Sequence, residues 1–554
     1  MKENCLIVGL DYGTTYTGVS FCETSENNIS GQHVEVIHDW PSCHTKIGTK
    51  EKVPSEVTYQ TEGIRWGSDI PPNVQRHMWT KLQLDTPQNG EAGKIYRELS
   101  SSDQGLHKQP VDIIADFLMQ VKAHLIKNLD NKYGKELWRT LPITLVVTVP
   151  AVWSDAAKNR TLQAVDMAGF NNIQFPQLQR TIIATEPEAA AIHTIKTLRG
   201  TTQDGKLRVG DGFTVCDMGG GTVDLISYKV AGLNPTVVEE ATVGNGDQCG
   251  GSFVDRAFLR WLERRLGTAD FVKIAGCRSE NVARTSLAKK AAIMLQDFTL
   301  EVKSGFSGSE TNYLRLPAPL SAVEDDEARG ISDGEITVTA DDMHEMFEFS
   351  IRRTYELLTE QWKRAKENKV QIKYVFMVGG FSESPYVHSK IKQFVESNGI
   401  QAFKPSYAWS AVVRGATAKG LEGDTFAVLK RKSRRHYGTS CAKPFKTRVH
   451  KSSDAYIDQY TGVKYANHQA DWLIKKGQDM RASKATHARD SFTVATLTVD
   501  LDDVPSSCFE DETSPAGRKY SSITIEVNIS MQSSLEFFVT VDGKKYGSLT
   551  ANYD

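Results

Sequence analysis

Apolar positions along the chain come first as short unbroken runs, at 5–10, 143–149, 213–216 and 374–378, each stopped by Asp, Pro or Gly. Runs of that length, rich in β-branched residues, predict strands buried on both faces. Between them the spacing changes. Val111, Ile114, Phe117, Leu118, Val121 and Leu125 recur every three or four residues, which predicts an amphipathic helix over 111–129. Helical spacing returns at 252–266, 280–298 and 341–366. The strand ending at Pro150 is followed by Ser154 and Asp155, residues suited to cap a helix. The segment 182–185 runs into Glu186-Pro187-Glu188-Ala189-Ala190-Ala191, the extended start of another helix. Strands alternating with helices imply α/β layers.

The pattern changes past about residue 425. Lys430-Arg431-Lys432-Ser433-Arg434-Arg435 is a charge run that reads as a linker, with a nuclear localisation signal as its alternative. Beyond it the periodicity is that of strands, at 492–501, 522–529 and 535–541. A compact β-domain of about 115 residues fits. The chain stops at Asp554, so no long helix is expected after it.

Candidate chemistry sits where two of the apolar runs end. Residues 5–10 lead into Asp11-Tyr12-Gly13-Thr14-Thr15, and 213–216 lead into Asp217-Met218-Gly219-Gly220-Gly221-Thr222-Val223-Asp224. A strand that ends in a glycine-rich turn leaves consecutive backbone N–H groups open, and such a concavity binds phosphate oxygens. Aspartate at the strand end suits a hydrated Mg²⁺, and threonine adds donors. Two such turns facing each other would clamp a nucleoside triphosphate. A third motif, Val378-Gly379-Gly380-Phe381-Ser382-Glu383, lets backbone pass close to a flat ligand such as a nucleoside. By contrast, Gly200-Thr201-Thr202-Gln203-Asp204-Gly205-Lys206 lacks the Ser/Thr of a phosphate loop and follows a helix, so it reads as a surface loop.

Composition narrows the function classes. A chain of 554 residues has room for roughly three or four domains. With 40% hydrophobic and 24% charged residues it has an ordinary globular balance, and a net charge of −2 gives no global attraction to nucleic acid or anionic membrane. No apolar run approaches the roughly 18 residues of a membrane span. The N-terminal run is too short for a signal peptide. Eight scattered cysteines without a Cys-x-x-Cys pair favour neither zinc nor a disulfide framework, so reduced thiols in cytosol or nucleus are expected.

Taken in order, the first phosphate turn, Thr148-Val149-Pro150-Ala151, Glu186-Pro187 with its alanines, the second phosphate turn, Gly250-Gly251 and Val378-Gly379-Gly380 resemble the ATPase domain of the 70-kDa heat-shock chaperones. That family belongs to the actin, sugar-kinase and heat-shock ATPase superfamily. The form Gly-Gly-Phe-Ser-Glu-Ser, the segment 433–438 and the short β C-terminus resemble its divergent, lidless member-12 branch. The resemblance implies an α/β fold: a two-lobed actin-like ATPase domain of duplicated ribonuclease-H-like cores over 1–425 (lobe I about 1–185, lobe II about 186–425). A basic linker at 426–435 and a β-rich, protein-binding domain without a helical lid at 436–554 would follow.

It also implies the site. Asp11 and Asp217 would hold the Mg²⁺ shell, largely through water. Gly13, Thr14, Thr15, Tyr16, Gly219, Gly220, Gly221, Thr222 and Gly250 would cradle ATP or ADP. Lys303, Ser307, Gly379, Gly380, Phe381, Ser382 and Glu383 would surround the base. Lys81, Glu186, Asp217, Thr222 and Asp224 would form the catalytic set, with Lys81 on the γ-phosphate and Glu186 and Asp224 on the attacking water. A lysine on a solvated helix face is the plainer reading of Lys81. Three departures stand out: Ser304 and Glu383 replace the two arginines that sandwich adenine in the family, and Lys158 replaces an arginine that relays nucleotide state.

The implied function is a slow ATPase that couples nucleotide state to protein or peptide clients, with co-chaperone or exchange-factor partners, as a cytoplasmic monomer. A non-catalytic nucleotide-gated scaffold and a small-molecule kinase are the alternatives.

Overall fold

The computed structural model describes residues 4–26, 34–42, 50–61, 63–85, 90–100, 108–198, 207–233, 236–422, 428–434, 437–458, 462–474, 477–480, 495–499, 504–514, 517, 519–531, 535–546 and 549–553. The loop at 200–206, residues 426–427 and 435–436, and parts of 492–501 lie outside them. The chain divides into two compact units, Met1–Trp153 with Asn159–Leu429, and Ser154–Lys158 with Lys430–Asp554.

In the first unit the apolar runs become the central strands of two sheets. Leu6–Asp11 is buried at every position. It pairs antiparallel with Tyr16–Glu23, and this first hairpin is extended on its outer side by Glu35–Val36. On the other side Leu6–Asp11 pairs parallel with Ile143–Val149, which pairs parallel with Leu178–Thr185. The second sheet repeats this order. Gly212–Met218 and Val223–Gly232 form the second hairpin, flanked by Val237–Glu240 and Asn245–Asp247. Ile372–Val378 and then Gln401–Phe403 add in parallel on the far side of Gly212–Met218. The helices repeat in chain order as well: Pro110–Tyr133, Asp155–Met167 and Glu186–Leu198 of the first half correspond to Ala340–Glu367, Pro385–Ser397 and Ala411–Glu422 of the second. Parallel strands need such crossovers, and helices on both faces explain the unbroken apolar runs. This is the duplicated core of an actin-like ATPase fold.

The last helices of the two halves, Glu186–Leu198 and Ala411–Glu422, pack against one another. Ala189, Ala190 and Ala191 permit the close approach, and a side chain at Gly415 would overlap the Ala189 carbonyl. Glu186–Leu198 packs with Phe213, Val215, Phe376 and Val378 of the second sheet, and Ala416 packs with Ile7 and Val146 of the first.

Around the second sheet sits a helical layer built on Ser252–Leu266, Lys289–Asp297 and Ala340–Glu367. Phe258 and Phe298 stack at 4.0 Å in its core. Ala340–Glu367 opens with a capping box formed by Thr339 and Asp342, and Asp342 also accepts from Trp261 Nε1 at 2.8 Å. The helix expected over 280–298 is shorter, beginning at Lys289, and Phe298–Lys303 continues it as a π-helix.

In the second unit small antiparallel sheets dominate. Tyr437–Pro444 pairs with Lys464–Ile474, Glu510–Thr513 with Lys519–Ser522, and Glu526–Met531 with Leu535–Val541. Where a basic linker is expected, Val428–Lys432 forms a strand, and Arg431 and Lys432 pair with Met480 and Asp479. Lys432 Nζ lies 2.6 Å from Asp479. A cation with a carboxylate partner in a ladder is no longer a solvated charge run, which is why composition alone misplaced it.

Candidate functional site

The two hairpin turns meet. A Cβ on Gly220 would lie 2.5 Å from Thr15 Oγ1, and one on Gly221 would lie 3.0 Å from Thr14 Cγ2. Only glycine in the second turn lets the first approach this closely. The second turn is braced from behind: Gly250 N, Gly251 N and Ser252 N donate to the carbonyls of Gly221, Gly219 and Gly220 at 3.2, 3.2 and 2.8 Å. Gly379 has φ +86, and a side chain there would overlap Asp217.

The turns open on a cavity of about 710 Å³. Its walls include Asp11, Gly13, Thr14, Thr15, Tyr16, Lys81, Glu186, Asp217, Gly219, Gly220, Gly221, Thr222, Asp224, Lys303, Gly379, Gly380, Phe381 and Glu383. Three expected residues do not reach the wall. Gly250 acts as the brace just described. Ser382 is fully buried and donates to Gly379 O at 2.7 Å. Ser307 is turned away, its N–H and hydroxyl both held by the Glu310 carboxylate.

Lys81 is 3% exposed and donates to Glu186, with Trp153 beneath its ammonium at 5.8 Å. The solvated-face reading of Lys81 therefore falls. The residue lies in a short 3₁₀ turn, Thr80–Leu84, entered through Trp79 in the left-handed conformation at φ 56.

Asp11 and Asp217 end equivalent strands yet differ in every contact. Asp11 Oδ2 accepts from Lys52 Nζ at 2.6 Å, and its Oδ1 from Thr148 Oγ1 at 2.8 Å. Burial opposes ionisation of Asp11, but the charges of Lys52 and Lys81 and these two hydrogen bonds outweigh it, so its pKa lies below the ordinary carboxylate range. Asp217 has no ion pair among the described residues. Burial first, then the charge of Glu186, pushes it up to about 7, and Lys52 only partly compensates. Glu186 also stands at about 7, raised mainly by burial against the pull of Lys81. Burial likewise raises Asp224, despite a hydrogen bond from Thr222.

At the end of the cavity where the base is expected, the charged side chains have protein partners. Lys303 donates to Gly251 O at 2.8 Å and Asp255 at 2.6 Å. Ser304 bonds back to the Leu300 carbonyl, and Glu383 is paired with Lys404 at 2.8 Å. Aromatic surface stands there instead. Phe381 lies parallel to Phe347, and Trp409 meets Tyr16 edge-on at 5.6 Å beside Gly380.

The fold implies a magnesium ion between Asp11 and Asp217. Each Asp11 oxygen already accepts one hydrogen bond, and the Lys52 ammonium stands against one of them, where it repels a dication. The residues therefore do not fit a magnesium ion shared between Asp11 and Asp217. Sequence reasoning missed Lys52, which follows no periodic pattern, and Trp79 and Trp409. Thr148 was visible only as part of a motif.

A fold of two duplicated halves with facing Asp-Gly-Thr turns defines an actin-like nucleotide-binding protein. The family model for Hsp70 protein matches residues 7–425, and the chain belongs to the Hsp70 family. It is 23% identical to human heat shock 70 kDa protein 12A over an alignment of 509 residues, covering 78% of this chain and 71% of that protein. That likeness agrees with the divergent member-12 branch. Among the described residues no helix is long and apolar enough to cross a membrane.

Proposed function

We propose that this chain binds ATP and ADP in the cavity between its two hairpin turns and couples nucleotide state to protein binding by its β-rich C-terminal region, hydrolysing ATP slowly. The observation that carries the reading is the convergence of both phosphate turns on one cavity with the Lys81–Glu186 pair beside them. Thr14, Thr15 and the N–H groups of Gly219, Gly220 and Gly221 would take the phosphates. Lys81 would leave Glu186 for the terminal phosphate, and Glu186, with its pKa near 7, would accept a proton from the attacking water, with Asp224 orienting it. Asp217 and Thr222 would position the phosphates from the second turn. Slow turnover follows from the strong hold of Glu186 on Lys81 and from the absence of a shared-metal geometry.

Lys303, Gly379, Gly380, Phe381 and Glu383 would flank the base, with little discrimination between ATP and GTP, because a ring wall replaces paired guanidinium groups. Clients and exchange factors of protein nature are the proposed partners, by analogy with the family. The proposed domains are 1–425 and 436–554, joined through 426–435, of which Val428–Lys432 is a strand. Thiols such as Cys216 and Cys249 support the cytosol as the proposed compartment.

A second reading, a nucleotide-gated scaffold without hydrolysis, is favoured by one observation: Lys52 and Lys81 are both already neutralised inside the site. Phosphate release from ATP by the wild type, Lys81→Ala and Glu186→Gln separates the readings. Loss of about 10²-fold in both variants supports the ATPase. Wild-type release at the buffer rate, with nucleotide still bound, leaves the scaffold. ADP formation stimulated by an added sugar, without matching release of phosphate, would point to a kinase.

A further inference from the structure

The register of the two hairpins sets up a substitution of one charge for another. In the second hairpin Asp217 stands opposite Asp224, and in the first Asp11 stands opposite Gly18. The missing side chain at Gly18 leaves a channel, and Lys52 fills it: a Cβ on Gly18 would lie 3.2 Å from Lys52 Cγ and 3.4 Å from its Cε. The backbone is fixed there by pairing of Val53 with Thr17. Lys52, 8% exposed, thereby delivers its ammonium to Asp11, within electrostatic reach of Asp217 and Glu186.

We infer that the Lys52 ammonium is a built-in counter-ion for the phosphates of the bound nucleotide, standing where a shared magnesium ion is expected, so that a nucleoside di- or triphosphate binds without requiring the metal. This rests on the nucleotide reading above. Two observations carry it. Both oxygens of Asp11 already have donors, at 2.6 and 2.8 Å. The buried lysine stem packs directly against Gly18, where a side chain would crowd it. A buried ion pair is also seldom needed to hold a fold together. An ammonium among carboxylates at the mouth of a phosphate cradle is a point charge that phosphate oxygens accept.

The test is calorimetric titration of the full chain with ADP, once in EDTA and once in excess Mg²⁺. The expected affinities agree within about threefold, since the metal adds little coupling. Lys52→Met keeps the apolar stem and removes the charge. It should weaken ADP binding in EDTA by about tenfold or more, with recovery in Mg²⁺. Mn²⁺, followed by electron paramagnetic resonance without nucleotide, should stay free with the wild type and become bound by Lys52→Met. A wild type that loses ADP by more than about thirtyfold in EDTA, or that binds Mn²⁺ as Lys52→Met does, overturns the inference while leaving the nucleotide site intact. No ADP binding in either buffer removes the nucleotide reading and this inference together. Should Lys52→Met fail to fold, the two wild-type titrations decide.

Discussion

The first and second hairpins share a backbone plan and oppose each other in charge. In the first, Asp11 faces Gly18 across the ladder and is neutralised by Lys52. In the second, Asp217 faces Asp224, has Glu186 nearby, and among the described residues forms no ion pair. The two halves therefore share the turns proposed to cradle phosphate but not the charges beneath them. One half supplies its own counter-ion, and in the other half burial and neighbouring acids raise Asp217 to about 7, with Lys52 compensating only in part. Burial alone does not determine a carboxylate's state, since both aspartates are buried and their pKa values move in opposite directions.

The largest expected effect breaks the comparison on the first side. Asp11→Ala leaves the Lys52 ammonium buried and unpaired, and loss of about 3–5 kcal/mol of stability should follow. Asp217→Ala removes an unpaired carboxylate and should leave stability unchanged or raised. Urea denaturation of both variants reads the difference, and equal losses would erase the asymmetry.

Next in size is the pH response. Asp217 is raised to about 7, so in the folded chain it keeps a proton that the unfolded chain releases at about pH 4. The unfolding free energy should therefore fall as pH rises from about 4 to 7, by something on the order of 2–4 kcal/mol shared with Glu186. Asp11 has the opposite sign: its contribution is present above the ordinary carboxylate pKa and is lost as pH falls through its lowered value. Denaturation of the apo chain at several pH values should show a shallower slope above about pH 4 in Asp217→Asn than in the wild type. Identical slopes would place the proton elsewhere.

A smaller effect tests the junction of the hairpins. Gly220→Ala forces a methyl to 2.5 Å from Thr15 Oγ1, so the turns must part. ADP affinity should fall about tenfold with the fold intact, and an unchanged dissociation constant would mean that the turns do not grip one ligand together. The smallest change is Ser307→Ala. Its hydroxyl serves Glu310 and not the cavity, so affinity should stay within about twofold of wild type.

Much of this architecture is legible from local sequence. Ile143–Val149 and Ile372–Val378 are apolar runs whose β-branched composition and terminators specify buried strands without reference to the rest of the chain. The helix at 110–133 follows from its spacing, and each Asp-Gly-Thr turn is a contiguous chemical statement. The 280–288 stretch has helical spacing too, yet the helix begins only at Lys289, because tertiary packing overrides a weak local preference.

What the sequence determined by itself is thus the pair of phosphate turns, the strands that carry them and the family to which they belong. Tertiary structure alone decided which charges meet. Lys52 reaches Asp11 across 41 positions, Lys81 reaches Glu186 across 105, and Thr148 reaches Asp11 across 137. The reason is physical. Strand and turn preferences act over a few neighbouring residues and leave a periodic trace, whereas a lysine's burial and partner are set by sheet register and by the space a distant glycine leaves open.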